Sequence, residues 1–317
     1  MMALFNLLIS RSLELWTSHL LNHNLPRFKK KYLFIGLGTM GYPMAGHLSK
    51  NENIDLFVYN RSPDPLGNWL NKYKGTEFIF NNSADIEFDG FIVCLKDDAA
   101  IKDVLVNKML ISKLKNKAFI VDHSTTSLEL ISSINSVKEM SDKSISFYDA
   151  PISGGEAGAV NGTLSVMFGG PPKKITSIKK LMKSYSSSIV HIGPSGHGQL
   201  TKMVNQLCIA GLLQGLSEGM VFGRESKLNM SKVFDAISNG AAQSWQMNNR
   251  YKSMLRDEFN FGFAVDLMIK DLKIALNESK NNQLDLKISK EVLKNYQNLS
   301  DNGNGDLDTS SLIKIIK

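Results

Sequence analysis

The chain has 317 residues, 43% of them hydrophobic, with a mean hydropathy of −0.13, which suits a soluble globular protein with room for two cored domains. The net charge of +7 hints at nucleic acid, but residues 1–31 carry Arg11, Arg27 and Lys29–Lys31 against Glu14, a net of +4 that leaves +3 for the rest. That remainder gives no reason to expect nucleic acid and suits small anionic ligands. No apolar run reaches the ~18 residues needed to span a membrane.

Within residues 1–31 the stretch Ala3 to Leu21 is apolar, carries Arg11, Ser10, Ser12 and Ser18, and has Glu14 as its only acid. This reads either as a mitochondrial-type presequence or as a dispensable extension ahead of a domain beginning near residue 32. The expected location is accordingly cytoplasmic, or the mitochondrial matrix if the presequence reading holds.

Tyr32-Leu-Phe-Ile35 predicts a buried parallel strand, and Gly36-Leu37-Gly38-Thr39-Met40-Gly41 follows at once, with a helical pattern over 39–49. Strand, glycine turn and helix in this order form the dinucleotide fingerprint. Its glycines allow a tight turn, a close approach to pyrophosphate and helix-on-strand packing, while the helix N-terminus presents N–H groups to phosphate. The second strand, Ile54 to Tyr59, ends in Asn60-Arg61 where an acidic residue would bind an NAD ribose. Asn60 and Arg61 favour NADP, with NAD possible.

Further on, apolar runs alternate with helical patterns: strands at 91–95, 118–122, 146–148, 164–167 and 188–192, and helices at 97–110 and 127–140. Such alternation implies a mainly parallel, doubly wound sheet whose ligands lie beyond the carboxyl ends of the strands. The tips Leu95-Lys96-Asp97, Asp122-His-Ser124-Thr125-Thr126 and Asp149-Ala-Pro-Ile-Ser153 should therefore share a crevice with Gly36. Past Gly196 the pattern is helical throughout, with helices expected at 199–226, 231–238, 261–280 and 289–299, so the domain boundary is placed at 195/196.

The segment Gly196-His-Gly-Gln-Leu-Thr-Lys202-Met-Val-Asn205-Gln206 puts Lys202, Asn205 and Gln206 on one helix face. A lysine that donates a proton to a carbonyl oxygen as hydride arrives at carbon is a sound general acid, and partial burial would lower its pKa towards the working range. The two amides can orient a substrate hydroxyl. Ser153-Gly154-Gly155 offers a hydroxyl and exposed N–H groups to a carboxylate, or is simply a tight turn. Lys270-Asp271 is a third candidate, against a surface pair between Lys270 and Asp266. Cys94 and Cys208 read as buried reduced thiols. No Cys/His spacing suggests a metal, and 301–312 fails as a calcium loop because Asp306 and Leu312 stand where glycine and glutamate belong.

Four ordered motifs, at 36–45, 149–155, 196–205 and 270–272, make residues 32–317 resemble the β-hydroxyacid dehydrogenase family, which includes 3-hydroxyisobutyrate dehydrogenase and tartronate semialdehyde reductase. The resemblance implies an α/β architecture: an N-terminal Rossmann domain, with a doubly wound, mainly parallel sheet over 32–195, followed by an all-α domain over 196–317 for substrate binding and oligomerisation. It implies Lys202 as catalytic acid/base, Ser153, Gly154 and Gly155 at the substrate carboxylate, and Asn205 or Gln206 assisting. It also places Ser124, Thr125 and Lys270 near the nicotinamide. Gln206, where many members have a second asparagine, is shared with the tartronate semialdehyde reductases.

The expected activity is NAD(P)-dependent interconversion of a small 3-hydroxy acid and its semialdehyde by a homodimer or homotetramer. Apolar faces such as Ile209 to Leu216 would form the contact between copies. An imine reductase-like enzyme and a non-catalytic NADP-binding scaffold are the alternatives, and Lys202 argues against both.

Overall fold

The computed structural model of the protein describes residues 29–80 and 86–316. The targeting question at the N-terminus lies outside the described residues. Strand β1 (Lys30–Ile35) begins two residues before the domain start expected from the sequence.

β1 is followed by helix α1 (Gly41–Leu48), β2 (Ile54–Tyr59), α2 (Pro63–Lys72), β3 (Thr76–Glu77), β4 (Phe88–Val93), α3 (Asp98–Lys102), β5 (Leu114–Asp122), α4 (Leu128–Asn135), α5 (Lys138–Asp142) and β6 (Ser146–Asp149). The strands lie in the order β3-β2-β1-β4-β5-β6, all parallel, the doubly wound order in which the chain reverses direction between β1 and β4. Both faces of this sheet are covered, which explains its unbroken apolar runs. Phe34, Val58, Ile92 and Val121 pack on one side with Met44, Leu48 and Trp69. Leu33, Ile35, Phe91, Val93 and Ile120 pack on the other with Leu105 and Ile134.

A second set of elements extends the sheet: β7 (Ile152–Ser153), α6 (Gly155–Asn161), β8 (Leu164–Gly169), α7 (Ile175–Met182) and β9 (Ser186–Gly193). β8 pairs antiparallel with β6 and β7 and parallel with β9. The sheet is therefore mainly parallel, and the 149–155 motif contains a short strand where only a loop was expected.

The rest is helical: α8 (His197–Glu225), α9 (Met230–Ile237), α10 (Trp245–Leu255), α11 (Val265–Asn281) and α12 (Lys287–Leu299). α8, at 29 residues and about 43 Å, is the spine. Its Ala210 and Leu213 pack with Val265, Met268, Leu272 and Tyr296, and its Met220 and Val221 with Phe234, Met247 and Met254.

Two expected helices are broken. The 97–110 helix stops at Lys102, widens into a five-residue turn in which Lys108 N bonds Asp103 O, and ends at Met109 with φ 53°. The 127–140 helix is interrupted at Val137, whose ψ of 130° is extended. One cysteine also departs from expectation: Cys208 is exposed, because α8 turns an apolar face to solvent, and Cys94 is partly buried.

Candidate active site

The glycine loop is dictated by contacts. Gly36 has φ 99°, and a Cβ there would lie 2.2 Å from Cys94 O; a Cβ on Gly41 would lie 2.0 Å from Gly36 O. Neither position admits a side chain, because β4 and the loop's own backbone fill the space. Gly38 differs: a Cβ there meets nothing within 4 Å, so that side of the loop faces open space at the start of α1. This is the shape a pyrophosphate needs, with N–H groups at a helix start and no side chain in the way. Asn60 Oδ1 accepts from Leu37 N at 2.9 Å, and its Nδ2 donates to Ser62 O, so Asn60 holds the loop in shape. Arg61 beside it is exposed, with no ion-pair partner among the described residues.

The crevice continues along the carboxyl ends of β4 and β5. Leu95 N donates to Ser124 Oγ at 2.8 Å, and Ser124 N to Asp122 Oδ1 at 2.9 Å. Asp122 is fully buried and its Oδ2 has no hydrogen-bond partner among the described residues. Burial pushes its carboxyl up to about 7, against the two hydrogen bonds from Ser124. His123 next to it is held down at about 4 by burial; its ring contacts Ala150 O and the Tyr185 hydroxyl, which belong to the core. Lys96 is exposed at the rim.

The two domains meet at the start of α8. Asp149, at the end of β6, accepts from Gly196 N at 2.7 Å and Gln199 N at 2.9 Å, and so caps the helix from the other domain. A Cβ on Gly198 would lie 2.4 Å from Asp149 O, which explains the second glycine of the 196–198 hinge. One turn later Lys202 is only 7% exposed. Its Nζ donates to Ile152 O at 2.9 Å, beside Ser153, and lies 5.9 Å from the Phe263 ring. Burial lowers its pKa most; the charge of Asp271 opposes this and that of Lys270 adds to it.

Asn205 Nδ2 donates to Gln206 Oε1 at 2.8 Å, and Gln206 Nε2 to Asp271 Oδ2 at 2.8 Å. Lys270 Nζ donates to Thr125 O at 2.6 Å and sits 3.2 Å from Asp271 Oδ1, an ion pair outside hydrogen-bond geometry. The rival surface pairing is not formed, since Asp266 accepts instead from Ser300 Oγ.

Residues 31–193 match the family model of the NAD-binding domain of 6-phosphogluconate dehydrogenase, and residues 196–316 that of the NAD-binding region of NADP-dependent 3-hydroxyisobutyrate dehydrogenase. An uncharacterized oxidoreductase of Shewanella frigidimarina is 42% identical over 89% of this chain and 97% of its own length. A 2-hydroxy-3-oxopropionate reductase of Escherichia coli is 30% identical over 90% and 96%. The chain belongs to the β-hydroxyacid dehydrogenase family. It is an NAD(P)-dependent oxidoreductase. The solved 3-hydroxyisobutyrate dehydrogenase of Mycobacterium tuberculosis shares its fold, with a TM-score of 0.80 at 22% identity over 90% of this chain and 99% of that one.

In this β-hydroxyacid dehydrogenase the expected site residues fall into two groups. Gly36–Gly41, Asn60, Leu95, Ser124, Thr125 and Lys270 form one connected chain of contacts along the sheet's carboxyl edge. In the second, Lys202 bonds Ile152 O beside Ser153, while Asn205 is linked to the first group through Gln206, Asp271 and Lys270. Gly154 and Gly155 are exposed, with φ of 126° and 60°. Sequence reasoning assigned no role to Asp149 or Gln199 and named Asp271 only as the neighbour of Lys270, although all three stand inside the quoted motifs. Their polar side chains in otherwise apolar or glycine-rich surroundings were the available signal.

Proposed function

We propose that the protein interconverts a small 3-hydroxy acid and its semialdehyde, with Lys202 moving the proton. The observation that carries this reading is the Lys202 ammonium, buried beside β7 with one hydrogen-bond acceptor among the described residues. Two of its three N–H donors are left for a substrate oxygen. When bound, the nicotinamide supplies the hydride to the carbonyl carbon or takes it back. Lys202 gives its proton to the carbonyl oxygen in reduction and recovers it in oxidation. Ser153, through its hydroxyl, and Gly154 and Gly155, through their backbone N–H groups, hold the substrate carboxylate next to the Ile152 carbonyl that anchors the lysine. Asn205 orients the substrate hydroxyl. Gln206, whose amide is engaged by Asn205 and Asp271, keeps Asn205 in place.

Gly36–Gly41 hold the pyrophosphate, and Leu95, Lys96, Ser124, Thr125 and Lys270 border the cofactor further along the crevice. Arg61 is free to meet a 2′-phosphate, which favours NADP over NAD. The names of the relatives support the substrate class, because 3-hydroxyisobutyrate and 2-hydroxy-3-oxopropionate both place a carboxylate one carbon from the reacting centre.

The active form is a homodimer or homotetramer joined through α8. Gly211, Gly215 and Gly219 lie on one face, with open space beyond each and Val204, Leu212 and Phe222 exposed around them. Each glycine costs a helix about 1 kcal/mol relative to alanine, and close approach of a second helix offsets that cost. Gly215→Trp should leave the protein folded and reduce its mass in sedimentation; an unchanged mass removes this face from the interface. No helix among the described residues is long and apolar enough to cross a membrane. The two unpaired cysteines suit a reducing compartment, either the cytoplasm or the mitochondrial matrix.

The test follows NADPH and NADH oxidation with carboxylated semialdehydes and glyoxylate, for wild type and Lys202→Ala. The expected result is turnover with NADPH preferred and a loss of at least ~10²-fold in the variant. Binding of NADPH without turnover, or an unimpaired variant, would return the protein to the scaffold or imine-reducing readings.

A further inference from the structure

Gln199 is fully buried one helical turn before Lys202. Its Nε2 donates to Ser124 O at 2.7 Å and its Oε1 accepts from Thr126 N at 3.1 Å. One side chain thus grips the main chain on both sides of Thr125, whose own carbonyl is held by Lys270 of α11. Both bonds cross from the helical domain to the loop after β5. Both end on backbone atoms, so no rotamer change in the loop can relax them. The backbone N–H of Gln199 is meanwhile fixed by Asp149.

We propose that Gln199 is a positioning residue that sets the gap across which the hydride moves. It locks the 124–126 loop, at the cofactor edge of the crevice, one turn from the lysine that protonates the substrate oxygen. The inference rests on the function proposed above. A glutamine suits the task because one end must donate to a carbonyl and the other accept from an N–H. Methionine of similar length does neither, and a glutamate carboxylate can only accept. A misplacement of about 1 Å between reacting groups is enough to cost ~10²-fold in rate.

The experiment compares wild type, Gln199→Met and Gln199→Glu, using cofactor deuterated at the transferring position. In Gln199→Met kcat should fall about 10- to 100-fold, with the dissociation constant for NADPH within about threefold of wild type. The isotope effect on kcat should rise, as hydride transfer becomes rate-limiting across a longer gap. In Gln199→Glu the activity relative to wild type should recover as pH falls, because the protonated carboxyl regains a donor for Ser124 O. A folded Gln199→Met with wild-type kcat and isotope effect overturns the proposal. So does a parallel loss of affinity and rate with no change in isotope effect. Hydrogen exchange gives a readout without turnover: peptides 122–127 and 196–204 should lose protection together in Gln199→Met. If wild type reduces no semialdehyde, the functional reading fails, while the exchange data still decide whether the latch exists. Loss of protection in the helix peptide alone, or in neither, rules the latch out.

Discussion

In the proposed reaction Lys202 can serve as an acid because it is dry and still has an anion nearby. Burial favours its neutral form, and the charge of Asp271 partly restores the ammonium. Asp271→Asn should therefore shift the lysine's kinetic pKa further down and narrow the pH range of carbonyl reduction. The pH profile of kcat/KM for the variant checks this; an upward or absent shift would show that Asp271 does not act on Lys202 electrostatically. At this scale the sequence was informative where spacing alone decides, as for Lys202 and Asn205 on one face of α8. It placed Gln206 beside them as a second amide for the substrate, but not its bond to Asp271 on a helix 65 residues away. Nothing local encodes that pairing.

The glycine loop separates folding from binding at the level of an element. Gly41→Ala forces a Cβ against Gly36 O and should destabilise the protein by about 1–3 kcal/mol. Gly38→Ala has room in the free protein, so its Tm should stay near that of wild type while NADPH affinity drops. Calorimetry and cofactor titration on the two variants check the contrast; unchanged affinity in Gly38→Ala would mean that the open side of the loop does not face the pyrophosphate. Strand–turn–helix order was readable here because glycine, apolar run and helical pattern coincide. The breaks after Lys102 and at Val137 were not, since neither carries glycine or proline, and apolar periodicity runs through both. α10 went unread because only Met247, Ser253 and Met254 along it are buried, too sparse for a stripe. Its cap, Ser244 accepting from Met247 N, was the signal present.

Across the whole molecule, stability and pH are linked through the crevice floor. Asp122 titrates near 7 when folded against 3.8 ordinarily. Between about pH 4 and 7 the native state holds a proton that the unfolded chain has released, so this group's contribution falls as pH rises. His123, lowered to about 4 from 6.5, acts in the opposite sense, since the unfolded chain binds the extra proton. The two largely offset each other in wild type. Asp122→Asn keeps an oxygen for Ser124 N and removes the charge. Its Tm advantage over wild type should grow from pH 4 to 7 and then level off; an advantage independent of pH would show that Asp122 is not protonated in the native state. The overall architecture was the most legible part of all: β/α alternation, then helices after Gly196. Domain docking was not, because it depends on Asp149 and Gln199 meeting across the boundary.

The central claim is that Lys202 carries the proton of hydride transfer, and pH profiles of kcat/KM in both directions test it most directly. Reduction needs the ammonium and oxidation the amine. The two profiles should therefore bend in opposite directions around a shared pKa below 10.5, and both bends should vanish in Lys202→Ala. Bends that persist in the variant, or that run the same way in both directions, would contradict it.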